Sequence, residues 1–398
     1  MHSACMESMR QFRGLNNVTD PLRLGLSWFT RADNVDVTES GGVKRRAGYA
    51  LAQAGAPTGI YATKDETRLY VIDGGELRQV LDDMTVRPLA QGLGREAYWA
   101  EINDQVLYVA GDAAGIITAE GEVLPWRLPV PAEPRVQVGE GGQLPAGQYR
   151  VCATFVMPDG RETPASTAAE IVVEQGAALQ ISGIEQLPSC VTRVYVAPAD
   201  STAFQLAFGA AGPAAVWAQP PEALGQELLT DGLDPLPVGV DVIAEWNARI
   251  FAAQYLPEDD KTVVWRSEPL APHLWNLSEG FFLVPGRVHA LAPNDAGLVV
   301  ATDRAMHAYT PEGLALLASY GTVSGLPWAL DGKRTLIWSQ RGLCQFPEFT
   351  NLTASRVSVA PGLQAGAAVL EIDGQTRFLA CLHAGGTPFN SNRREVSP

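Results

Sequence analysis

Three histidines in the second half of the chain, His273, His289 and His307, are the side chains best suited by type to hold a metal or move a proton. Their spacing is too wide for the paired histidines of a helical zinc motif, and no matched carboxylate accompanies them. They read as packing and loop residues. Adjacent carboxylates offer a second chemistry, since Asp82-Asp83 or Asp259-Asp260 could act as the acid and nucleophile of a glycosidase. Neighbouring carboxylates on a turn point apart, however, and Glu258-Asp259-Asp260, between Pro257 and Lys261, reads as an exposed loop. The five cysteines, Cys5, Cys152, Cys190, Cys344 and Cys381, are odd in number and lack any Cys-x-x-Cys spacing, so zinc and redox motifs are unsupported. Cys152 and Cys381 alternate with apolar neighbours and read as buried thiols. The signatures of acyl transfer, nucleotide hydrolysis and dinucleotide binding are also missing. The expectation is a protein that is not an enzyme, with no catalytic residue, no cofactor and no metal.

The elements that would have to position any site are short strands. A polar Asn or Asp turn followed by an apolar strand and a second turn recurs about every 40 residues, which is the mark of an array of small sheets. The turns fall at Asp65, Asn103-Asp104, Asn247, Asn294-Asp295, Asp331-Gly332 and Asp373-Gly374. One gap, between Asp104 and Asn247, exceeds a normal step by roughly a hundred residues, the size of one inserted domain. No amphipathic helix of 10–15 residues separates the strands, so blades are favoured over βαβ units. The fold class predicted is all-β: a β-propeller of about six blades carrying an inserted immunoglobulin- or fibronectin type III-like β-sandwich. Seven of the nine tryptophans, Trp99, Trp126, Trp246, Trp265, Trp275, Trp328 and Trp338, recur near blade boundaries and are assigned to the core.

Composition bounds what such an array can meet. The 398 residues are 46% apolar, enough for real cores, and carry a net charge of −15. This balance argues against holding DNA on a basic face. No stretch reaches the ~20 apolar residues of a membrane span, and Met1–Arg10 lacks the apolar core of a signal peptide, so synthesis in the cytosol is expected. A disulfide between Cys152 and Cys190 is disfavoured in that compartment. The layout is an N-terminal segment 1–57 that completes the propeller or contacts another protein, a first propeller part 58–132, an insert 133–237, a second propeller part 238–383 and a flexible tail 384–398. The strand candidates Asn34–Val37 and Val43–Leu51 are expected to complete the last blade, which is short of an outer strand. Lys44-Arg45-Arg46 is the densest basic run of an acidic chain. It reads equally as a solvated strand edge that discourages pairing and as an interface. Arg393 and Arg394 in the tail complete the candidate interface residues.

Three groups of residues carry a resemblance. Gly14-Leu15-Asn16-Asn17-Val18, Ala32-Asp33-Asn34-Val35-Asp36-Val37 and Gly42-Val43-Lys44-Arg45-Arg46-Ala47-Gly48-Tyr49 resemble the start of tail nozzle proteins of short-tailed bacteriophages, a group that includes head-completion, or packaged-DNA stabilisation, proteins. Val264-Trp265-Arg266-Ser267-Glu268-Pro269 with Trp275-Asn276, and Gly297-Leu298-Val299-Val300-Ala301-Thr302, are similar to a blade of these proteins. Pro145-Ala146-Gly147-Gln148-Tyr149, Gly160-Arg161-Glu162-Thr163 and Val194-Tyr195 are similar to fibronectin-like modules of phage tail components. The resemblance touches about half the chain. It implies a structural virion protein of the tail, made in the host cytoplasm. Six copies would form the distal part of the DNA-ejection channel below portal and adaptor, retaining packaged DNA and conducting it on infection. Its implied partners are the other copies, the head-to-tail adaptor, tail fibre or spike and tail-tip proteins, and double-stranded DNA in transient, non-specific contact. The alternatives are a receptor- or carbohydrate-binding tail adhesin and a propeller glycan hydrolase.

Overall fold

Alternating or wholly apolar runs of four to ten residues, cut by glycine and Asn/Asp turns, produce an almost purely β chain. The computed structural model describes residues 11–383 except 47, 49, 52, 53, 56, 95 and 373. These residues form 35 strands and a single 3₁₀ turn, Pro221–Ala223, arranged as many small, mostly antiparallel sheets. The chain divides into two compact units, one of Met1–Tyr98, Tyr255–Thr262 and Val284–Pro398, the other of Trp99–Gln254 and Val263–Leu283.

In the first unit, three four-stranded meanders run through residues 59–91, 288–318 and 328–351. The central strand Leu298–Thr302 is buried along its whole length, as its unbroken run of Leu, Val, Val, Ala and Thr requires of a strand covered on both faces. Ala292, Val299, Ala301 and Met306 of the second meander share one core with Ile337, Cys344 and Phe346 of the third. A last sheet has three strands, Ser324–Leu326, Gln364–Ile372 and Gln375–His383, the first pair parallel and the second antiparallel. Gly321 precedes this sheet where the chain passes the preceding meander. A Cβ there would lie 1.9 Å from the Thr302 carbonyl oxygen, so only glycine fits.

In the second unit, meander strands within residues 99–125 and sheet strands within 242–254 and 263–283 precede and follow in sequence the region expected as an insert. That region holds two sheets, one of Arg135–Leu144, Ala177–Ser182 and Ala214–Trp217, the other of Ala169–Val173, Gly147–Val156, Val191–Ala197 and Gln205–Ala210. Leu144, Leu179 and Trp217 from the first and Tyr149, Val151 and Val194 from the second meet in a common core. At the base of this region, Asp234 exchanges backbone hydrogen bonds of 2.7 and 2.9 Å with Trp275, and the Arg127 guanidinium donates to the carbonyls of Leu236 and Pro237.

The recurring polar turns do two jobs. Asn103-Asp104 and Asn247-Ala248 place two consecutive residues at φ between 51° and 58°, the left-handed pair that a two-residue hairpin of type I′ demands. The amides also clamp the neighbouring sheet. Asn103 Nδ2 donates to the Leu270 carbonyl at 3.0 Å, and the buried Asn294 donates to the Lys333 carbonyl at 3.0 Å and to Thr335 Oγ1 at 3.1 Å. Asp65 instead closes its own turn, accepting from Thr63 Oγ1 at 2.5 Å and Thr67 Oγ1 at 2.7 Å, and these bonds hold its carboxyl at about 2. Asp373 lies outside the described residues.

Candidate interface

The basic run sits on a two-stranded ladder of the first unit, Val35–Val37 against Val43–Arg45, with Val35 opposite Arg45, Asp36 opposite Lys44 and Val37 opposite Val43. Its connecting loop is fixed by Thr38, whose Oγ1 accepts from the Gly42 amide at 2.9 Å. Gly41 closes the loop at φ 78°, and its carbonyl receives the Phe12 amide at 2.8 Å. A Cβ on Gly41 would lie 2.9 Å from Gln11 Cα, so the close approach of the entering chain requires glycine. All three residues of Val43–Arg45 are exposed.

Asp36 is the hinge of the arrangement. Its carboxylate, only 16% exposed, meets Arg46 Nε at 3.2 Å and Arg377 Nη1 at 3.2 Å. Arg46 is therefore engaged within the chain, and Lys44 and Arg45 lie on the exposed strand. Arg393 and Arg394 lie outside the described residues. Further upstream, Asn17 locks the segment down: its Nδ2 donates to the Ser358 carbonyl at 2.8 Å and its Oδ1 accepts the Ser358 amide at 2.8 Å. The Arg356 guanidinium lies 5.3 Å over the Trp28 ring, and Phe12 stacks on Phe29 at 4.4 Å. Neither Asp36 nor Asn17 was legible as an anchor, because the partners lie more than 300 residues away and no periodicity links them.

Two expectations are corrected here. Among the described residues, Val35–Val37 and Val43–Arg45 pair only with each other, so neither completes the last sheet. The tie to that sheet is the Asp36–Arg377 ion pair, a side-chain contact rather than a backbone ladder. Cys381, expected as a buried thiol, is exposed because it alternates to the face opposite Phe378, Ala380 and Leu382, which pack against the core. Cys152 is buried as expected, and burial, with Asp231 nearby, pushes its thiol to about 12, which makes it inert.

The histidines serve separate strands. His289 Nδ1 lies 3.2 Å from the Thr322 carbonyl, and burial lowers the pKa of His307. His273, in the second unit, faces a hairpin at Met157–Thr163. Burial, reinforced by the Arg161 guanidinium, brings its imidazole down to about 4, against a weaker opposing pull from Asp159. Arg161 donates to the Pro125 carbonyl at 3.0 Å and pairs with Asp159 at 2.7 Å. Next to it Glu162 accepts Thr154 Oγ1 at 2.6 Å and the Tyr195 hydroxyl at 2.7 Å, and meets Arg193 at 3.0 Å. Burial and this carboxylate push the Tyr195 hydroxyl up to about 12. The Glu162 carboxylate is thus spent on Thr154, Tyr195 and Arg193, while the buried His273 Nδ1 has no hydrogen-bond partner among the described residues. Of the acidic pairs, Asp260 accepts the Tyr255 hydroxyl at 2.9 Å and pairs with Arg304 at 2.7 Å, and Asp83 caps the Thr85 turn. Among the tryptophans Trp126 and Trp275 are fully buried, whereas Trp265 is half-buried, 5.1 Å from the exposed Phe281.

No protein-family model matches the chain, and no curated protein matches it. Solved structures give distant likenesses only. The extracellular domain of the putative hybrid two-component system BT4673 from B. thetaiotaomicron is 11% identical, covering 80% of this chain and 36% of its own, with a TM-score of 0.31. Dipeptidyl peptidase 4 of Porphyromonas gingivalis is 9% identical over 77% of this chain and 46% of its own, with a TM-score of 0.29. Hsv2 of Kluyvelomyces marxianus is 10% identical over 83% of this chain and 97% of its own, with a TM-score of 0.31. The chain thus spans less than half the length of the first two. At these scores the likenesses carry no argument about fold or function.

Proposed function

We propose that this chain is a structural virion protein, the tail nozzle of a short-tailed bacteriophage. In this reading its small sheets are the blades of a propeller of about six, the two-sheet region of residues 133–237 is a fibronectin-like insert, and six copies surround the path of the DNA below the adaptor. The observation that carries the reading is the N-terminal ladder. The strings resembling the start of nozzle proteins, Gly14–Val18, Ala32–Val37 and Gly42–Arg46, form a segment fastened through Asn17 to Ser358 and through Asp36 to Arg377, with Lys44 and Arg45 presented on an exposed strand. A positive strand held on a chain of net charge −15 is fitted to contact protein surfaces of the opposite sign. The acidic balance also suits a wall past which DNA must slide, since phosphates find few cations there.

A second reading, a receptor- or carbohydrate-binding tail adhesin, draws on the Trp265–Phe281 pair beside the Gln254 amide, which accepts Trp265 Nε1 at 3.2 Å. Exposed aromatic rings next to amides are the usual means of holding apolar sugar faces. Mass measurement and negative-stain imaging of the purified protein, alone and with its adaptor, separate the two. A six-fold ring on the adaptor supports the nozzle. A trimer that binds glycans supports the adhesin and refutes the nozzle.

A further inference from the structure

We propose that the loop at residues 20–26 of one copy of this chain docks into a groove on the two-sheet region of the next copy. This deepens the multi-copy reading above and rests on it. The tip of the loop is an apolar anchor beside a cation: Leu22 is 94% exposed, and Arg23 and Leu26 are exposed next to it. Arg23 enters no ion pair among the described residues. The one acid of the loop, Asp20, is spent on the turn itself, where its carboxylate accepts the Leu22 amide at 2.9 Å and its carbonyl the Arg23 amide at 2.9 Å. Upstream, Asn16 Oδ1 accepts the Thr19 amide at 3.0 Å and Asn17 holds Ser358. A loop fixed before it binds is spared the ordering cost that weakens a flexible one.

The groove has the opposite character. It lies between Arg135–Leu144 and the turn that follows Ala169–Val173, the outermost strands of the two facing sheets, and has a volume of about 440 Å³. Val138, 52% exposed, and Val172, 71% exposed, line it together with Glu140 and Glu174, and no basic residue does. Neither carboxylate enters an ion pair among the described residues. Leu22 therefore matches the two valines and Arg23 the two carboxylates, the pairing of apolar anchor and opposite charge that concentrates binding energy in few residues. Every copy carries both halves on different surfaces. Each can take its neighbour's loop while offering its own, a head-to-tail contact that closes into a ring when the rotation between copies allows it.

Light scattering of the full-length protein from about 1 to about 100 µM, a range spanning ordinary association constants, tests this. Leu22→Ser and Arg23→Glu alter exposed side chains, so each should melt like the wild type and self-associate more weakly by about tenfold or more. Glu140→Arg with Glu174→Arg should weaken association likewise, and adding Arg23→Glu to that pair should restore most of it. Undiminished association of a loop variant overturns the proposal, as does a loss that the charge exchange leaves unrestored. A wild type that stays monomeric across the range, alone and with the adaptor, refutes this contact and the nozzle together. A six-fold ring on the adaptor that forms equally well from the loop variants removes this contact and leaves the nozzle reading standing.

Discussion

Acid should loosen the second unit through one histidine. His273 has an imidazole held at about 4 in the folded protein, against 6.5 for the free group, because burial and the Arg161 guanidinium disfavour its cation. The unfolded chain therefore binds a proton near pH 6.5 that the folded chain refuses until about pH 4. Stability from this group is full above pH 6.5 and is lost as pH falls from 6.5 toward 4. At about 1.4 kcal/mol per unit the full shift corresponds to about 3 kcal/mol, of which about 2 is reached by about pH 5. Water reaches part of the ring, so about 1 kcal/mol is the working figure. For a unit of this size that is a fall of about 2–4 °C in melting temperature. The assay is thermal unfolding of the wild type and His273→Gln between about pH 8 and about pH 5, a window in which His307, also lowered by burial, contributes equally to both proteins and His273 makes the difference between them. Asp159, whose pKa is raised by burial but lowered overall by Arg161, stays charged in both proteins through most of that range. The glutamine variant should have the shallower pH dependence by that amount. Parallel pH profiles for the two proteins would refute the reasoning, and an enhanced loss in the variant would reverse its sign.

Other outcomes follow from single contacts. Gly321→Ala forces a Cβ to 1.9 Å from the Thr302 carbonyl and should cost several kcal/mol, read as a large drop in melting temperature or loss of soluble protein. Asn294→Ala removes the two bonds its buried amide donates, to Thr335 and the Lys333 carbonyl, and the one its Oδ1 accepts from the Ala296 amide, a loss of about 2 kcal/mol or more in denaturant titration. Asn103→Ala, at a more exposed clamp, should cost about half that in the same titration. Duplex DNA should bind the assembled protein weakly even at low salt, measured by filter retention, and a tight complex with a steep salt dependence would count against the nozzle.

The sequence by itself determined the local architecture. The spacing of Asn103, Asn247, Asn294 and Asp331 marked the turns between first and second strands; at Asn103 and Asn247 the reason is a two-residue hairpin, which needs residues that tolerate left-handed φ, and short polar side chains supply them. The long gap between Asp104 and Asn247 marked the two-sheet region with its own core, since alternating runs such as Tyr149-Arg150-Val151 can bury one face only against a facing sheet. Tertiary structure alone decided what those turns hold. That Asn294 reaches Lys333 and Thr335, or that Asn17 grips Ser358, depends on which sheets come to lie side by side, and a period of about 40 residues gives the unit but not its neighbour's register. The fate of the N-terminal strands was likewise out of reach. Val35–Val37 and Val43–Arg45 carry the alternation of any strand, and whether they join another sheet or only each other depends on backbone groups that look the same along the sequence. The charge on Asp36 distinguishes the outcome, because it meets Arg377 across a distance of 341 residues and fixes the ladder by a side-chain pair where a pattern search looks for a backbone one.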